Sequence, residues 1–440
     1  MKERFFELAD YANGQLRGTE TLLATFCGET SDFVRFNRAR VRQAGSVAQA
    51  WLRLTLIDQG RRLNSSLTVA FDRTGDHAAI ADAIQTLRSD LATVPPDPLL
   101  LYATDVVSSN LERSGRLPEA EEAVDCVIAA AAGADLVGIF ASGPVYRGFA
   151  NSLGQRNWHR VDSFQLDWSV YLGGDKAVKS TFASETWSAQ EVTRRIRSAR
   201  EELGFLAASP RAIEPGQYRA FLAPAAVDEL IGMLNWDGVS ARSQRTRQSA
   251  LQKLVDAEAT LSPMVTLREN TAEGLGPSFD DSGFPRPPRV ALIDGGRHAG
   301  ALVSARTAKE YDIAPNGANE EESMQSADLD GGSLPMAEAL AALDKGILVG
   351  NLWYLNYSDR ASGRITGMTR FATFWVEGGR IVAPLNVMRF DDSIYRMLGS
   401  ELKALTRERE WIQSRSTYGQ RSVESTRVPG ALLSSLTLTL

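Results

Sequence analysis

The stretch that decides the fold runs from residue 346 to residue 390 and reads GILVGNLWYLNYSDRASGRITGMTRFATFWVEGGRIVAPLNVMRF. Adjacent glycines, Gly378 and Gly379, supply the positive φ angles of a tight hairpin, so the segments on either side are predicted to pair as antiparallel strands. Apolar residues on both faces of the strand before this turn indicate that it is covered on both sides, as in the core of a sizeable β domain. Turn residues separate three segments rich in β-branched and aromatic residues: 347–357, 369–376 and 380–390.

The length of the chain predicts more than one domain. A single core rarely serves 440 residues, and the turn residues at 209–216 mark the clearest boundary. The predicted class is α+β, with an N-terminal α/β region of mixed sheets over 1–208 and a larger, barrel-like or sandwich-like β-rich domain over 209–440. A proline cluster at 94–100 favours a further division of the first domain.

Charge and composition exclude several kinds of partner. The formal net charge is -6, which gives no electrostatic reason to expect binding to nucleic acid or to an anionic membrane. No apolar run is long enough to span a bilayer, and the N-terminus lacks the apolar core of a signal peptide. Two cysteines, Cys27 and Cys126, cannot form a disulfide framework, so a reducing, cytoplasmic location is predicted.

A self-contained metal site is not expected. The chain has three histidines, His77, His159 and His298, which lie far apart and away from other candidate ligands. A zinc site ordinarily takes several His, Cys or carboxylate ligands, two of them close in sequence. We therefore predict no metal and no cofactor, and we interpret His159 as a turn or strand-edge residue and His298 as a hairpin-tip residue.

Local patterns assign the first hundred residues. Residues 1–26 are predicted to be helical, and 35–56 to form two strands joined by a turn at 43–46. A second helix is predicted over 76–93, with Asp76 as its N-cap. Arg38, Arg40 and Arg42 are predicted to share one strand face, with Arg35 nearby. These arginines could bind phosphate, but the acidic net charge favours a solvated face.

Further along, a long polar helix is predicted over 188–203, capped by Ser188 and ended by Gly204. A second polar helix is predicted over 243–256. The segment 312–332 is acidic and poor in apolar residues, and is therefore predicted to be a mobile surface loop. A shorter helix over 225–234 has an apolar stripe made of Val227, Leu230, Ile231 and Leu234.

Several motifs of the C-terminal half occur in the order and spacing of a known family. An acidic pair, Asp280 and Asp281, is followed by Gly and Pro, and then by an apolar strand ending in Asp294, Gly295 and Gly296. The tract 346–390 follows with its glycines and its strand at 371–375. Over residues 210–400 the chain thus resembles the TldD/PmbA (TldE) family, once called modulators of DNA gyrase.

The resemblance implies two possible kinds of chain. TldD-type subunits of the family are zinc peptidases with H-E-x-x-x-H on a helix and a downstream cysteine, whereas TldE-type subunits lack these ligands and pair with TldD-type subunits. Here Glu229 matches the family's catalytic glutamate, but Asp228 and Met233 stand where the two histidines would be. No cysteine follows Cys126, so the downstream ligand is absent as well.

The resemblance therefore favours a metal-free TldE-type subunit that binds peptide and completes a dimer, either with a TldD-type subunit or with a second copy of itself. Asp228 and Glu229 are interpreted as exposed acids on an ordinary amphipathic helix. The pair Asp280 and Asp281 is interpreted as a turn-forming pair that bonds local backbone amides. Two alternatives remain open: a stand-alone hydrolase with an unrecognised site, and a non-catalytic peptide-binding homodimer.

Overall fold

The computed structural model describes residues 1–174 and 176–439. The N-terminal half contains α1 (Lys2–Asn13), β1 (Thr21–Asn37), β2 (Arg40–Asp58), β3 (Arg61–Thr68), α2 (Arg73–Leu91), β4 (Ser109–Arg113), α3 (Ala120–Ala130), β5 (Asp135–Asn151), β6 (Arg156–Gly173), β7 (Lys176–Ser184) and α4 (Ala189–Leu206).

The C-terminal half contains more strands than helices. Its elements are β8 (Gly216–Leu222), α5 (Pro224–Asn235), α6 (Ala241–Arg245), α7 (Gln252–Val255), β9 (Leu267–Glu269), β10 (Val290–Asp294), β11 (Arg297–His298), α8 (Ala305–Tyr311), β12 (Ser326–Leu329), α9 (Ala339–Leu343), β13 (Gly346–Asp359), β14 (Arg364–Glu377), β15 (Arg380–Pro384), β16 (Arg389–Ser393), β17 (Leu402–Gln413) and β18 (Ser425–Leu438).

Strands β1 to β7 form one sheet, here called the N-terminal sheet. Its order is β3-β2-β1-β5-β6-β7, and these neighbours are antiparallel, while β4 pairs in parallel with the first part of β6. The sheet is therefore mixed, as predicted. Its long central strands, β1, β5 and β6, present two faces of different chemistry.

The even-numbered residues of the central strands form the apolar face. Phe26 and Trp158 pack beneath α1 and α2 at one end of the strands, and Phe140 and Leu166 pack beneath α3 and α4 at the other end. The core at the second end also includes Phe374 of β14. The two halves of the chain thus share a hydrophobic core.

The odd-numbered residues of the same strands form a polar face that is nevertheless buried. Glu29, Ser31, His159, Ser163 and Gln165 are all less than 3% exposed. Segments of the C-terminal half cover this face, since Leu275 and Val423 pack on Val145 and Val161. Buried polar groups require hydrogen-bond partners, so this interface is joined largely by polar contacts.

The hairpin between β1 and β2 corrects two predictions. The turn lies at Arg38 and Ala39, both with φ near +52°, rather than at 43–46, which belongs to β2. Two residues with positive φ make the tight turn that a twisted hairpin favours, and glycine is not required at either position. The helix predicted over 1–26 ends at Asn13, because the apolar and β-branched run from Thr21 joins the sheet. The four arginines are exposed as predicted: Arg35, Arg38, Arg40 and Arg42.

Two helix boundaries also differ from prediction. Asp72, not Asp76, caps α2 by accepting a hydrogen bond from the N–H of Gly75, while Asp76 is buried and pairs with Arg4 at 2.7 Å. Ser188 caps α4 as predicted, but the helix continues past Gly204 to Leu206. The packing of Leu206 in the core outweighs the weak helix preference of one glycine.

Strands β8 to β18 form the second sheet, here called the C-terminal sheet. Five of them close on themselves, because β18 pairs with β16, β16 with β14, β14 with β13, β13 with β8, and β8 again with β18. This ring is the predicted barrel-like body. The predicted hairpin at Gly378 and Gly379 joins β14 to β15, and residues 372–376 of β14 are all buried.

The segment 312–332 is not the mobile surface loop that its composition predicts. Residues 326–329 form β12, a buried strand between β9 and β18. Glu322 is 1% exposed and accepts hydrogen bonds from Ser240 and Ser304. Glu322 and Asp328, the two buried acids of this segment, are satisfied by tertiary contacts that composition cannot show. The polar helix predicted over 243–256 is likewise divided into α6 and α7.

His159 lies inside the sheet and not at a turn or strand edge. It sits on β6 with β4 on one side and β5 on the other, and it is 1% exposed. Its Nε2 donates to the carbonyl of Leu275 at 2.8 Å, and burial lowers the pKa of the imidazole to about 4. The prediction was wrong because the C-terminal half covers this face of the sheet.

Candidate functional site

Helix α5 carries the three residues that the resemblance sets against the family's zinc motif: Asp228, Glu229 and Met233. Pro224 begins the helix, where its missing N–H and fixed φ are tolerated. The predicted apolar stripe is confirmed, since its four residues are at most 2% exposed and join the large core of the C-terminal half: Val227, Leu230, Ile231 and Leu234. This packing fixes the direction in which the opposite face of α5 points.

The three motif residues lie in different environments. Met233 is 5% exposed and belongs to the core beneath α5. Asp228 and Glu229 are half-buried, so the interpretation of both as exposed acids was wrong. They point toward the loop at 414–424, which joins β17 to β18 and covers this part of the helix.

Arg415, in that loop, contacts Glu229, the residue that the resemblance aligns with the family's catalytic glutamate. Its Nη2 lies 3.1 Å from Oε1 of Glu229, and both side chains are about one-third exposed. A guanidinium at hydrogen-bond distance gives the carboxylate a counterion. Glu229 is thus already paired within the chain.

Asp228 lines two adjoining cavities. The outer cavity has a volume of about 190 Å³ and lies among α5, the ends of β17 and β18, and the loop. The inner recess is smaller, about 20 Å³, and lies between α5, β6, β7 and β17. Asp228, Ile412 and Arg415 line both. The outer cavity is otherwise mainly polar, with Asn235, Gln413, Ser414, Glu424, Ser425 and Thr426 among its lining residues.

The environment of Asp228 opposes its ionisation. Burial raises the pKa of this carboxyl to about 6, and the neighbouring charge of Glu229 acts in the same direction. A hydrogen bond from Thr426 and the charge of Arg415 oppose the shift without cancelling it. Asp228 therefore titrates close to neutral pH, as functional carboxyl groups often do.

These residues do not fit a catalytic zinc ion. Met233 is packed in the core, and its thioether is a poor substitute for imidazole. Glu229 is paired with a guanidinium, whose positive charge disfavours a second cation nearby. Within residues 1–174 and 176–439, no three His, Cys, Asp or Glu side chains are grouped so as to hold a metal ion.

Comparison with known proteins identifies the family. A family model described as PmbA/TldA metallopeptidase C-terminal domain matches residues 215–440. The chain belongs to the PmbA/TldD family. No curated protein matches the sequence. The matched residues of this PmbA/TldD-family chain include α5 and the whole C-terminal sheet.

Solved structures share the fold over the whole chain. TldE from Thermococcus kodakarensis has a TM-score of 0.77 at 13% identity, with 100% of both chains covered. A Thermotoga maritima protein that carries the name of a DNA gyrase modulator has a TM-score of 0.76 at 16% identity, covering 100% of this chain and 99% of that one. A Bacteroides thetaiotaomicron protein of similar name gives 0.75 at 16% identity, with 100% and 98% covered. At these identities the likeness shows the fold.

The other residues singled out from the sequence lie away from α5. Asp280 forms the predicted turn by accepting hydrogen bonds from the N–H groups of Ser282 and Phe284, whereas Asp281 extends toward Arg53. His77 stacks on Tyr11. His298 lies on β11 opposite Ile293 rather than at the hairpin tip, which is formed by Gly295 and Gly296, and it contacts Gln244. Cys27 and Cys126 are both free.

Sequence reasoning missed three residues of the site: Asp167, Lys179 and Arg415. All three line the inner recess. Asp167 gave no signal, because it occupies a polar position of the alternating strand at residues 164–171, and such positions ordinarily face solvent. Arg415 lies 186 positions from Glu229, and nothing local marks its partner.

Replacement of Asp228 by asparagine is expected to stabilise the protein at neutral pH. The folded protein keeps the Asp228 proton up to about pH 6, whereas the unfolded chain loses it near the ordinary aspartate pKa of 3.8. The wild-type free energy of unfolding therefore falls as pH rises between these values and stays lower above them. Asparagine removes this penalty, and we expect a gain of about 1–2 kcal/mol at pH 7.5.

Urea unfolding at several pH values measures the Asp228→Asn effect. The gain should shrink as the pH is lowered from about 6 and should vanish below the ordinary value of 3.8, because the wild-type carboxyl is then protonated in both states. Asp125→Asn, at an exposed position of α3, serves as the control and should change little at any pH. A variant less stable than the wild type at pH 7.5 would contradict the prediction.

Proposed function

We propose that this chain is the metal-free, TldE-type subunit of a TldD/TldE-type peptidase system. The pairing of Glu229 with Arg415 supports this proposal most directly. The chain has the PmbA/TldD fold, but the guanidinium of Arg415 lies beside Glu229. Its positive charge disfavours a zinc ion that would activate a water molecule there. The catalytic step then belongs to a partner subunit, and this chain contributes structure and peptide contacts.

Peptide binding is supported by two strand edges that flank the cavities. Among the described residues β7 pairs with β6 alone, while β17 pairs with β18 and also bridges at Thr406 to Leu334. Lys179 to Thr181 of β7 and Ile412 of β17 line the inner recess, so parts of both strands lie beside it. An extended peptide binds a strand edge through backbone hydrogen bonds with little regard to its sequence.

The expected location is the cytoplasm. Cys27 and Cys126 are free thiols, which agrees with a reducing compartment. No helix among the described residues has the length and apolar character needed to cross a membrane.

Co-expression with a TldD-type subunit tests the proposal. We expect the two chains to co-purify as a heterodimer and the TldD-type subunit to cleave an unstructured peptide faster in the complex than alone. Replacing the motif glutamate of the TldD-type subunit is the matched control, and it should abolish all cleavage by the complex. Failure to form a complex, together with no gain in cleavage, would refute the assignment.

The isolated chain separates the two alternatives. Stoichiometric zinc with chelator-sensitive peptide cleavage by the isolated chain would indicate a stand-alone hydrolase. A stable homodimer that binds peptide and ignores TldD-type subunits would indicate a non-catalytic binding protein. Metal analysis, size-exclusion chromatography and a cleavage assay on one purified sample distinguish these outcomes.

A further inference from the structure

Two irregularities in the pairing of β13 with β14 bring large side chains together on the surface. The register of the two strands shifts after Val349 and again after Trp353. Tyr354 and Phe371 have left-handed backbones near these points, with φ of 56° and 64°, which is unusual for bulky residues. Neighbouring side chains of a regular strand point to opposite faces, whereas a bulge re-aims one of them. Backbone strain of this kind is concentrated at functional sites.

The result is a surface cluster made of Trp353, Tyr354, Arg370 and Phe371, here called the Arg370 cluster. The guanidinium carbon of Arg370 lies 4.3 Å from the centroid of the Trp353 ring and 5.6 Å from that of the Phe371 ring. The rings of Trp353 and Tyr354 are 5.3 Å apart, and these two side chains are 38% and 77% exposed. Trp, Tyr and Arg are the residue types enriched at binding hot spots, so the cluster has the composition of an interaction surface.

The Arg370 cluster adjoins the candidate site. Lys179, which lines the inner recess, lies over the Phe371 ring at 5.8 Å from its centroid. Asn351 lines the same recess and precedes Trp353 by two residues without a register shift between them. Residues two apart on a strand share a face, so the face of β13 that borders the recess continues into the cluster.

Other ring-stacked arginines of the chain indicate what Arg370 lacks. Arg360 lies over the rings of Trp236 and Tyr357, at 5.2 and 4.9 Å, and also pairs with Asp237 at 3.0 Å. The same combination of a ring and a carboxylate is found at three further positions: Arg156, Arg195 and Arg211. Within the described residues, Arg370 has neither a carboxylate partner nor a hydrogen-bond acceptor for its guanidinium. The missing partner is therefore a carboxylate.

A guanidinium stacked on a ring is preorganised for a carboxylate. Stacking occupies the face of the guanidinium and leaves the N–H groups at its edge, whose fork matches the two carboxylate oxygens. Because Trp353 and Phe371 hold Arg370 in place, less side-chain entropy is lost when a ligand binds. Arg245 also lacks a carboxylate partner within the described part of the chain, but it is exposed and lies over a single ring at 5.8 Å. Arg370 is thus the better prepared of the two.

We propose that Arg370 binds a carboxylate of a peptide through paired N–H···O hydrogen bonds, while Trp353 and Tyr354 pack against apolar groups of the same peptide. A C-terminus and the side chain of an aspartate or glutamate carry the same group, and either can supply it. The peptide part of this inference rests on the proposed function, whereas the carboxylate part rests on the Arg370 cluster alone.

Peptide binding to the full chain, measured by fluorescence anisotropy, is the first test. A peptide without acidic residues, labelled at its N-terminus with an uncharged dye, is compared as the C-terminal acid, as the C-terminal amide, and as an amide that contains one glutamate. We expect amidation to weaken binding about tenfold, in line with the loss of charge-assisted hydrogen bonds. Recovery by the glutamate would identify acidic side chains as a second source, and no recovery would restrict the site to C-termini.

Variants assign the effect to Arg370. Arg370→Gln should remove most of the difference between acid and amide and leave the affinity for the amide unchanged. Trp353→Leu keeps the charge but removes the ring beneath it, and should also reduce the difference. Arg360→Gln is the matched control, because Arg360 is stacked on two rings but already has a carboxylate partner, and it should preserve the difference. Circular dichroism confirms that each variant is folded.

The carboxylate is also tested without peptide. The melting temperature is measured in potassium N-acetylglycinate, which carries the carboxylate of a peptide C-terminus, and in potassium chloride at equal ionic strength. We expect N-acetylglycinate to raise the melting temperature of the wild type and of Arg360→Gln, but not of Arg370→Gln.

The outcomes separate the two proposals. Equal affinity for acid and amide, or a difference that persists in Arg370→Gln, would overturn the carboxylate site while leaving peptide binding in place. An absence of all peptide binding, together with an N-acetylglycinate effect that depends on Arg370, would preserve the site and refute the peptide-binding part of the proposed function. Absence of both effects would refute both.

Discussion

Replacement of Arg421 by methionine is expected to lower the free energy of unfolding by about 3–5 kcal/mol, the cost of breaking a buried charged network. Arg421 lies in the loop 414–424 of the C-terminal half but is fully buried against the polar face of the N-terminal sheet. Burial lowers the pKa of its guanidinium to about 10, so the group remains charged at neutral pH.

Its contacts span three strands of the N-terminal sheet. Nη2 donates to the carbonyl and the hydroxyl of Ser163 on β6, both at 2.8 Å, and Nη1 donates to the carbonyl of Gly143 on β5 at 2.9 Å. Its backbone N–H faces Glu29 on β1, which is itself completely buried. Methionine fills similar volume but leaves these acceptors unpaired and Glu29 without its nearest positive charge.

Arg415→Met is the matched control for Arg421→Met. Arg415 lies in the same loop and also pairs with a glutamate, but both of its paired side chains are about one-third exposed. We expect this substitution to cost less than about 1 kcal/mol, because a pair that keeps about one-third of its surface in solvent is partly screened by water. Urea unfolding measures both variants, and equal losses would contradict the argument from burial.

Arg286→Met is expected to cost a similar amount, about 3–5 kcal/mol, for the same physical reason. Arg286 and Glu269 form an ion pair at 2.5 Å with side chains 5% and 2% exposed. Glu269 also accepts hydrogen bonds from the backbone N–H groups of Gln325 and Ser326. The pair thus holds the segment that leads into β12, and the substitution would leave a buried carboxylate without its cation.

A double variant and a surface control test the Arg286 prediction. Adding Glu269→Gln to Arg286→Met removes the uncompensated charge and should recover part of the lost stability. Arg289→Met breaks an exposed pair with Glu273 and should cost less than about 1 kcal/mol. If Arg286→Met also lowers the free energy of unfolding by less than about 1 kcal/mol, the buried pair contributes little to stability.

The sequence predicted an element correctly where residues close to it in the chain decide its structure. The hairpin at Gly378 and Gly379 depends on two adjacent residues that accept positive φ. The cap by Ser188 depends on a hydroxyl three residues before an N–H group. The apolar stripe of α5 repeats at helical spacing, and it was correctly predicted to be buried.

Prediction failed where a distant segment covers a polar surface. Residues 164–171 alternate apolar and polar side chains, which ordinarily indicates one buried and one solvated face. Here the polar face is buried under the C-terminal half. For this reason His159 was wrongly predicted to lie at a turn or strand edge, and Asp167 was not recognised as a residue of the site. The segment 312–332 was misassigned for the same reason, because Glu322 and the strand β12 find their partners far away in sequence.

By itself, the sequence determined the α+β class and the family resemblance, since each depends on the identity and spacing of nearby residues. Only the tertiary structure decided that Arg415 pairs with Glu229, and that Asp167 and Lys179 meet in one recess beside α5. These contacts join strands of two sheets, and the register and closure of those sheets depend on the packing of the whole chain.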